Sequence, residues 1–146
     1  MTADDVTVEF ARATPEDSLG AIVEALVERA RTARGARAVM EELWGSTLTA
    51  TELAGVLDAE RTAGHVWVAR RGPEVVAAAL VTHNCVRGIW VRPDQRRRHI
   101  GARLLGAILD DEDPPRDAWA LPGDRATKSL YESVGWKARL LTMRGE

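Results

Sequence analysis

The chain has 146 residues, the size of one domain and enough to bury a proper core, so a single domain over 1–146 is expected. Hydrophobic residues make up 45% and charged residues 29%, which is ordinary globular usage. With 20 basic against 22 acidic residues the formal net charge is −2, and a nucleic-acid binder is not expected from such a balance.

In chain order, Val6, Val8 and Phe10 alternate with Thr7, Glu9 and Ala11, the pattern of a half-buried strand. Thr14-Pro15-Glu16-Asp17 predicts a helix start, with Thr14 as cap and Pro15 in the first turn. Leu19, Ile22, Val23, Leu26, Val27 and Ala30 form one helical stripe, which Gly35 ends. A short helical piece with Val39, Met40, Leu43 and Trp44 on one side is expected next. Leu48 to Leu53 has the form of a capping box with a hydrophobic staple. It predicts a helix to about Thr62, ended by Gly64. His65–Arg70 and Val75–Val81 read as two strands of an antiparallel hairpin. Thr82-His83-Asn84 then turns the chain into a strand over Val86–Val91.

Arg92-Pro93-Asp94 ends that strand. Gln95-Arg96-Arg97-Arg98-His99-Ile100-Gly101-Ala102 is a turn entering a helix whose inner face is Ile100, Leu104, Leu105 and Ile108. The acids Asp110 to Asp113 oppose a helix C-terminus and belong to the loop that Pro114-Pro115 follow. Asp117–Leu121 is a short strand, Pro122-Gly123-Asp124 leads into a helix through Tyr131, and Lys137–Met143 is a closing strand. Cys85 is the sole cysteine, so no intrachain disulfide can form and a reducing, cytoplasmic compartment is expected. Met-Thr-Ala-Asp-Asp carries no basic and apolar leader, and no apolar run approaches a membrane span, so no membrane association is expected.

The arginine turn carries the chemistry. A helix N-terminus leaves backbone N–H groups unpaired and adds partial positive charge, which suits phosphate oxygens. Arginines strengthen that field, and Gly101 allows close approach to the backbone. This segment resembles the signature of the GNAT acetyltransferase superfamily, Arg/Gln-x-x-Gly-x-Gly/Ala after a strand ending in Val-x-Pro. Arg96 and Gly101 match; His99 stands at the middle glycine. The later run Asp124 to Trp136 resembles the family's late helix, with Leu130-Tyr131-Glu132 and Gly135-Trp136 matching directly. Asp124 stands where asparagine is common and Thr127 where alanine is usual.

The resemblance implies an α/β fold: a mixed, mainly antiparallel sheet flanked by helices, in the order β-α-α-β-β-β-α-β-α-β, with an abbreviated last strand pair. It implies N-acetyl (acyl) transfer from acetyl-CoA or another acyl-CoA to an amine of a small molecule or peptide by direct attack, without a metal. Ile89, Trp90 and Val91 would offer backbone groups to the pantetheine arm. Arg96, Arg97, Arg98, His99, Ile100, Gly101 and Ala102 would hold the pyrophosphate, and Asp124 is included among the cofactor contacts. Val91 N–H, or a neighbour's, is the candidate oxyanion donor. Tyr131 would protonate the leaving thiolate, a task that suits a phenol with a pKa near 10. A homodimer, frequent among relatives, is a family expectation.

The general base is not given by the motif. Many relatives carry a glutamate where this chain has Arg87 and Gly88. His83 is one substitute, since an imidazole titrates near neutrality; Glu41, Glu42 or a water chain are others. Cys85 reads as a small buried thiol. Trp44 and Trp67 are candidates to line the cleft, and acidic residues in the helical arm and in the loop after Leu109 would suit a cationic amine. Competing readings are another acyl donor or decarboxylation of an acyl-CoA, a non-catalytic acyl-CoA-binding module, and RNA binding through the arginine turn, which the overall acidity opposes.

Overall fold

Two apolar layers, one on each side of a single sheet, account for the architecture. The computed structural model describes residues 7–32, 43, 49–121 and 124–143. Val8–Arg12 (β1), Val66–Arg71 (β2), Glu74–Thr82 (β3), Cys85–Val91 (β4) and Asp117–Ala118 (β5) lie side by side in that order. The first four are antiparallel neighbours, and β5 joins β4 in parallel. The described elements also include helices α1 (Gly20–Thr32), α2 (Ala50–Thr62), α3 (Ile100–Leu109) and α4 (Arg125–Ser133), with a 3₁₀ turn over Pro93–Arg98 before α3.

Strand side chains alternate between faces, and the two layers follow that alternation. Ile22 and Leu26 of α1 with Leu53 and Leu57 of α2 pack on Val66, Val68, Ala78 and Leu80. Leu104, Leu105 and Ile108 of α3 with Tyr131 of α4 pack on Ala69, Ala77, Ala79 and Val86. Each fully buried Leu or Ile contributes roughly 1.5–3 kcal/mol, so the layers hold the sheet from both sides. None of the described helices is long and apolar enough to cross a membrane.

Most expected elements are present. Thr49 caps α2, its hydroxyl accepting from the Glu52 N–H at 3.2 Å, and α2 ends at Thr62 before Gly64 at φ +83°. The 3₁₀ turn Pro93–Arg98 and α3 follow β4 as the arginine motif requires. The acids after Leu109 lie beyond the helix. The piece around Val39, Met40 and Trp44, together with Glu41 and Glu42, lies outside the described residues; Leu43 is described and is buried with α1 and α2.

Two elements differ. Thr14-Pro15-Glu16-Asp17 does not start the first helix, which begins at Gly20. The Asp17 carboxylate accepts from the Thr14 N–H at 2.7 Å and from Arg70 Nε and Nη2 at 2.6 and 2.7 Å. This pairing to β2 holds the segment as a turn, so a tertiary ion pair overrides the local capping preference. Lys137–Met143 does not form the closing strand: it has no ladder partner among the described residues, and Leu140 and Met143 are 90% and 83% exposed. With β5 only two residues long, the sheet offers little edge on which another strand could build.

Candidate active site

β4 begins at a two-residue hairpin turn, His83 and Asn84, both with positive φ (51° and 67°), the geometry that matches strand twist. Its pairing with β3 steps from Leu80↔Gly88 to Val81↔Val86. Arg87 is therefore the extra residue of a β-bulge, a device that re-aims side chains near sites. Beyond the bulge the Arg92 N–H donates to the Val76 carbonyl at 2.8 Å. Alternation along β4 then sets the backbone of Trp90 toward β3 and that of Ile89 and Val91 toward the other edge.

That edge opens. β5 pairs with Cys85 and Val86, and the Trp119 N–H donates to the Val86 carbonyl at 3.0 Å. No ladder pair joins the two strands past Val86–Ala118 among the described residues. The opening is lined by Ile89 and Arg87 of β4, by Trp119 and Asp124, and by Arg29 of α1. Tyr131, on α4, is buried, and its hydroxyl donates to the Trp119 carbonyl at 2.8 Å. The residue that holds the phenol is thus the first one after the strands part.

Burial pushes the Tyr131 phenol well above its usual range, with the neighbouring Cys85 and Asp124 adding to the effect. The Cys85 thiol is pushed up to about 11, chiefly by burial and then by Asp117. A thiol so shifted is a poor nucleophile at neutral pH, in agreement with its reading as a small buried residue.

At the other end of β4, the 3₁₀ turn carries Arg96, Arg97 and Arg98 toward α3. Gln95 anchors this turn: it is buried, and its Oε1 accepts from Arg71 Nη1 at 3.0 Å. His99 is the junction, in the left-handed region at φ 58° and ψ 22°. A glycine adopts that conformation without steric cost, which gives a physical reason for glycine at this position of the motif. The first helical bond of α3 runs from the Arg103 N–H to the His99 carbonyl at 3.0 Å. The N–H groups of Ile100, Gly101 and Ala102 therefore precede the ladder, at the positive end of the helix dipole. Gly101 has a packing reason as well: an added Cβ would lie 2.9 Å from Leu130 Cδ2 and 3.1 Å from Val91 Cγ2. Its small size seats α3 against α4 and β4.

Asp124 caps α4. Its carboxylate accepts from the Thr127 N–H at 3.2 Å, from the Thr127 hydroxyl at 2.8 Å and from Arg29 Nη1 at 2.6 Å. His83 is not brought to this opening. It sits at the paired end of β4, in a separate polar hollow with His65, Asp111 and Arg116 that shares no lining residue with the opening. Trp67 belongs to that second hollow, and Trp44 lies outside the described residues. The tryptophan at the opening is Trp119, which no sequence motif marks. Its only signal is position: it lies two residues past Asp117, just beyond β5. Arg29 carries no signal at all, because in sequence it is one more polar residue on an amphipathic helix.

The sequence model for the acetyltransferase (GNAT) domain matches residues 62–138, more than half of the chain. The chain belongs to the GNAT acetyltransferase family. Two solved structures resemble it in fold. One is described as a possible acetyltransferase from Clostridium difficile 630, with a TM-score of 0.59, 16% identity and coverage of 95% of this chain and 96% of that one. The other is the aminoglycoside N-acetyltransferase AAC(6')-Iy in complex with CoA, with a TM-score of 0.56, 14% identity and 95% of each chain covered. No curated protein matches the sequence.

Proposed function

We propose that this protein transfers an acetyl group from acetyl-CoA to an amine by direct attack, with Tyr131 as the acid. The observation that carries this reading is the Tyr131 hydroxyl at 2.8 Å from the Trp119 carbonyl, where β5 leaves β4. A thioester lying in that opening would bring its sulfur to Trp119, whose carbonyl the phenol holds. The edge groups of Ile89 and Val91 suit the amides of a pantetheine arm, and the N–H groups of Ile100, Gly101 and Ala102 suit a pyrophosphate. Arg96, Arg97, Arg98 and His99 belong to the same turn and complete the proposed anion site. Asp124, tied to Arg29, borders the opening from the other side.

In the reaction the amine nitrogen attacks the thioester carbon, and a strand N–H of β4 stabilises the oxyanion, a contribution of roughly 3–4 kcal/mol for one well-aimed donor. The nitrogen gives up a proton to solvent, the C–S bond breaks, and the thiolate takes the Tyr131 proton. The products are an N-acetyl amide and the free thiol, and solvent returns a proton to Tyr131. Burial makes Tyr131 a weaker acid than a free phenol. His83, in the separate hollow, leaves the base role to solvent or to the residues around Glu41 and Glu42. A cytoplasmic location fits the single, reduced cysteine.

The test is release of coenzyme A from acetyl-CoA against a diverse amine library. Amine-dependent release that falls sharply in Tyr131→Phe supports the reading. Amine-dependent release that is unchanged in Tyr131→Phe removes Tyr131 as the acid.

A further inference from the structure

The turn that carries Arg96, Arg97 and Arg98 is a 3₁₀ run of six residues, Pro93–Arg98. Such runs seldom exceed three or four residues, because their hydrogen-bond geometry is poor. This one needs support from outside itself. Two ties reach it from the β2–β3 hairpin, where Arg71 and Glu74 are ladder partners. Arg71 Nη1 donates to Gln95 Oε1 at 3.0 Å, and Arg92 Nη1 donates to Glu74 Oε2 at 3.2 Å. Arg92 also forks onto Asp94, its Nε and Nη2 lying 2.7 and 3.1 Å from the two carboxylate oxygens.

The ties are unequal. The Glu74 and Asp94 side chains are exposed, and ion pairs so placed contribute little. Gln95 is buried. A buried amide needs its partners, and a hydrogen bond from a charged donor outweighs a neutral one. Arg71 is itself fixed, since it ends β2 and pairs with Val8 of β1 on one side and Glu74 of β3 on the other. Gln95 thus fastens the turn to an interior strand of the sheet, between the end of β4 and Ile100, where α3 begins. We propose, resting on the transferase reading of this site, that Gln95 is a positioning residue for the acyl donor: through Arg71 it sets the turn so that the Ile100, Gly101 and Ala102 N–H groups are in place for the pyrophosphate before the donor binds. A turn fixed in advance loses less freedom on binding, so the effect falls on donor affinity. Gln95 does not line the β4–β5 opening, so the chemical step is left alone.

Calorimetry measures the coenzyme A Kd of wild type, Gln95→Met, Arg71→Met and the double variant, with Thr49→Ala as a control. Methionine keeps the length of glutamine and removes the amide. Thr49→Ala removes the cap of α2 and so weakens the fold without touching the turn. Kd should rise about tenfold in Gln95→Met, the weight of a hydrogen bond to a charged group. The double variant should bind no more weakly than the weaker single variant, because the two residues act as one tie. Thr49→Ala should keep the wild-type Kd. With any amine that wild type acetylates, Gln95→Met should raise KM for acetyl-CoA and leave kcat within about twofold, the scatter of independent sites. If Gln95→Met does not fold, Gln95→Asn, whose shorter side chain draws the acceptor away from Arg71, is read by the same Kd and should also show the rise. A wild-type Kd in folded Gln95→Met, additive losses in the double variant, or an equal loss in Thr49→Ala overturns the positioning role and leaves the transferase reading standing. Coenzyme A binding with no amine acetylated overturns the transferase reading, and the Kd series then decides the role of Gln95. No association of coenzyme A with wild type overturns both.

Discussion

The Tyr131 hydroxyl and the Trp119 carbonyl are joined by a 2.8 Å hydrogen bond at the point where β4 and β5 separate. The bond links α4 to the strand it follows and holds the phenol in place before any ligand arrives. A thioester sulfur entering the opening would offer that proton a second acceptor. Tyr131→Phe keeps the ring packed and removes only the donor. Turnover should drop roughly 100-fold, the usual weight of one acid–base group, with KM for acetyl-CoA little changed. Thermal unfolding should report a loss of about 1 kcal/mol, the value of one hydrogen bond.

His99 is in the left-handed region, and its substitutions should separate strain from chemistry. A β-branched residue fits that region poorly, so His99→Val should destabilise the fold by about 1–2 kcal/mol. His99→Gly relieves the strain while adding freedom to the unfolded chain, and should remain within about 1 kcal/mol of wild type. Denaturant titration of the two variants checks both values. A His99→Val protein as stable as His99→Gly would contradict the assigned backbone geometry.

Gly101 is wedged between Leu130 and Val91. Gly101→Ala should cost about 1–3 kcal/mol by overpacking and raise KM for acetyl-CoA by displacing the start of α3. Adding Leu130→Val should recover part of the stability, because the two side chains compete for the same space. Strictly additive losses in the double variant would mean that the two positions do not meet.

Asp17 accepts from both Arg70 and Thr14, and the Arg70 guanidinium, followed by the Thr14 N–H, holds its carboxyl below the usual range despite the opposing effect of burial. The folded state therefore binds this proton less readily than the unfolded chain. The stabilisation is fully present above the unfolded pKa of about 3.9 and is lost as pH falls through the lower folded value. Asp17→Asn leaves Arg70 without its main carboxylate and should cost about 3 kcal/mol at pH 7, with a weaker loss of stability on acidification than wild type. Unfolding curves from pH 7 to pH 2 on both proteins measure the difference.

Much of this fold is legible in the sequence because its signals are local. The Thr49–Glu52 cap, the positive-φ pair His83-Asn84 and the α3 stripe of Ile100, Leu104, Leu105 and Ile108 each depend on residues a few positions apart. The illegible parts depend on partners distant in the chain. Thr14-Pro15-Glu16-Asp17 reads as a helix start until Arg70, 53 residues after Asp17, claims the carboxylate. Lys137–Met143 has a strand's composition, yet a strand needs an edge, and a two-residue β5 supplies little. At the site, the motif points to Tyr131 and the arginine turn. Arg29 and Asp124 meet across 95 positions of sequence, and the Arg87 bulge depends on the register against β3, which no periodicity in β4 reveals. His83 suits a base by its chemistry, but the hairpin puts it at the paired end of β4.

The decisive measurement is an amide chemical-shift titration of the folded protein with acetyl-CoA. The largest changes are expected at Ile89 and Trp119, which line the β4–β5 opening, and at Ile100, Gly101 and Ala102, which open α3, the two ends of the proposed donor path. Saturable binding with perturbations confined to other surfaces, or no perturbation at millimolar ligand, would contradict the assignment of that path as the acyl-donor site.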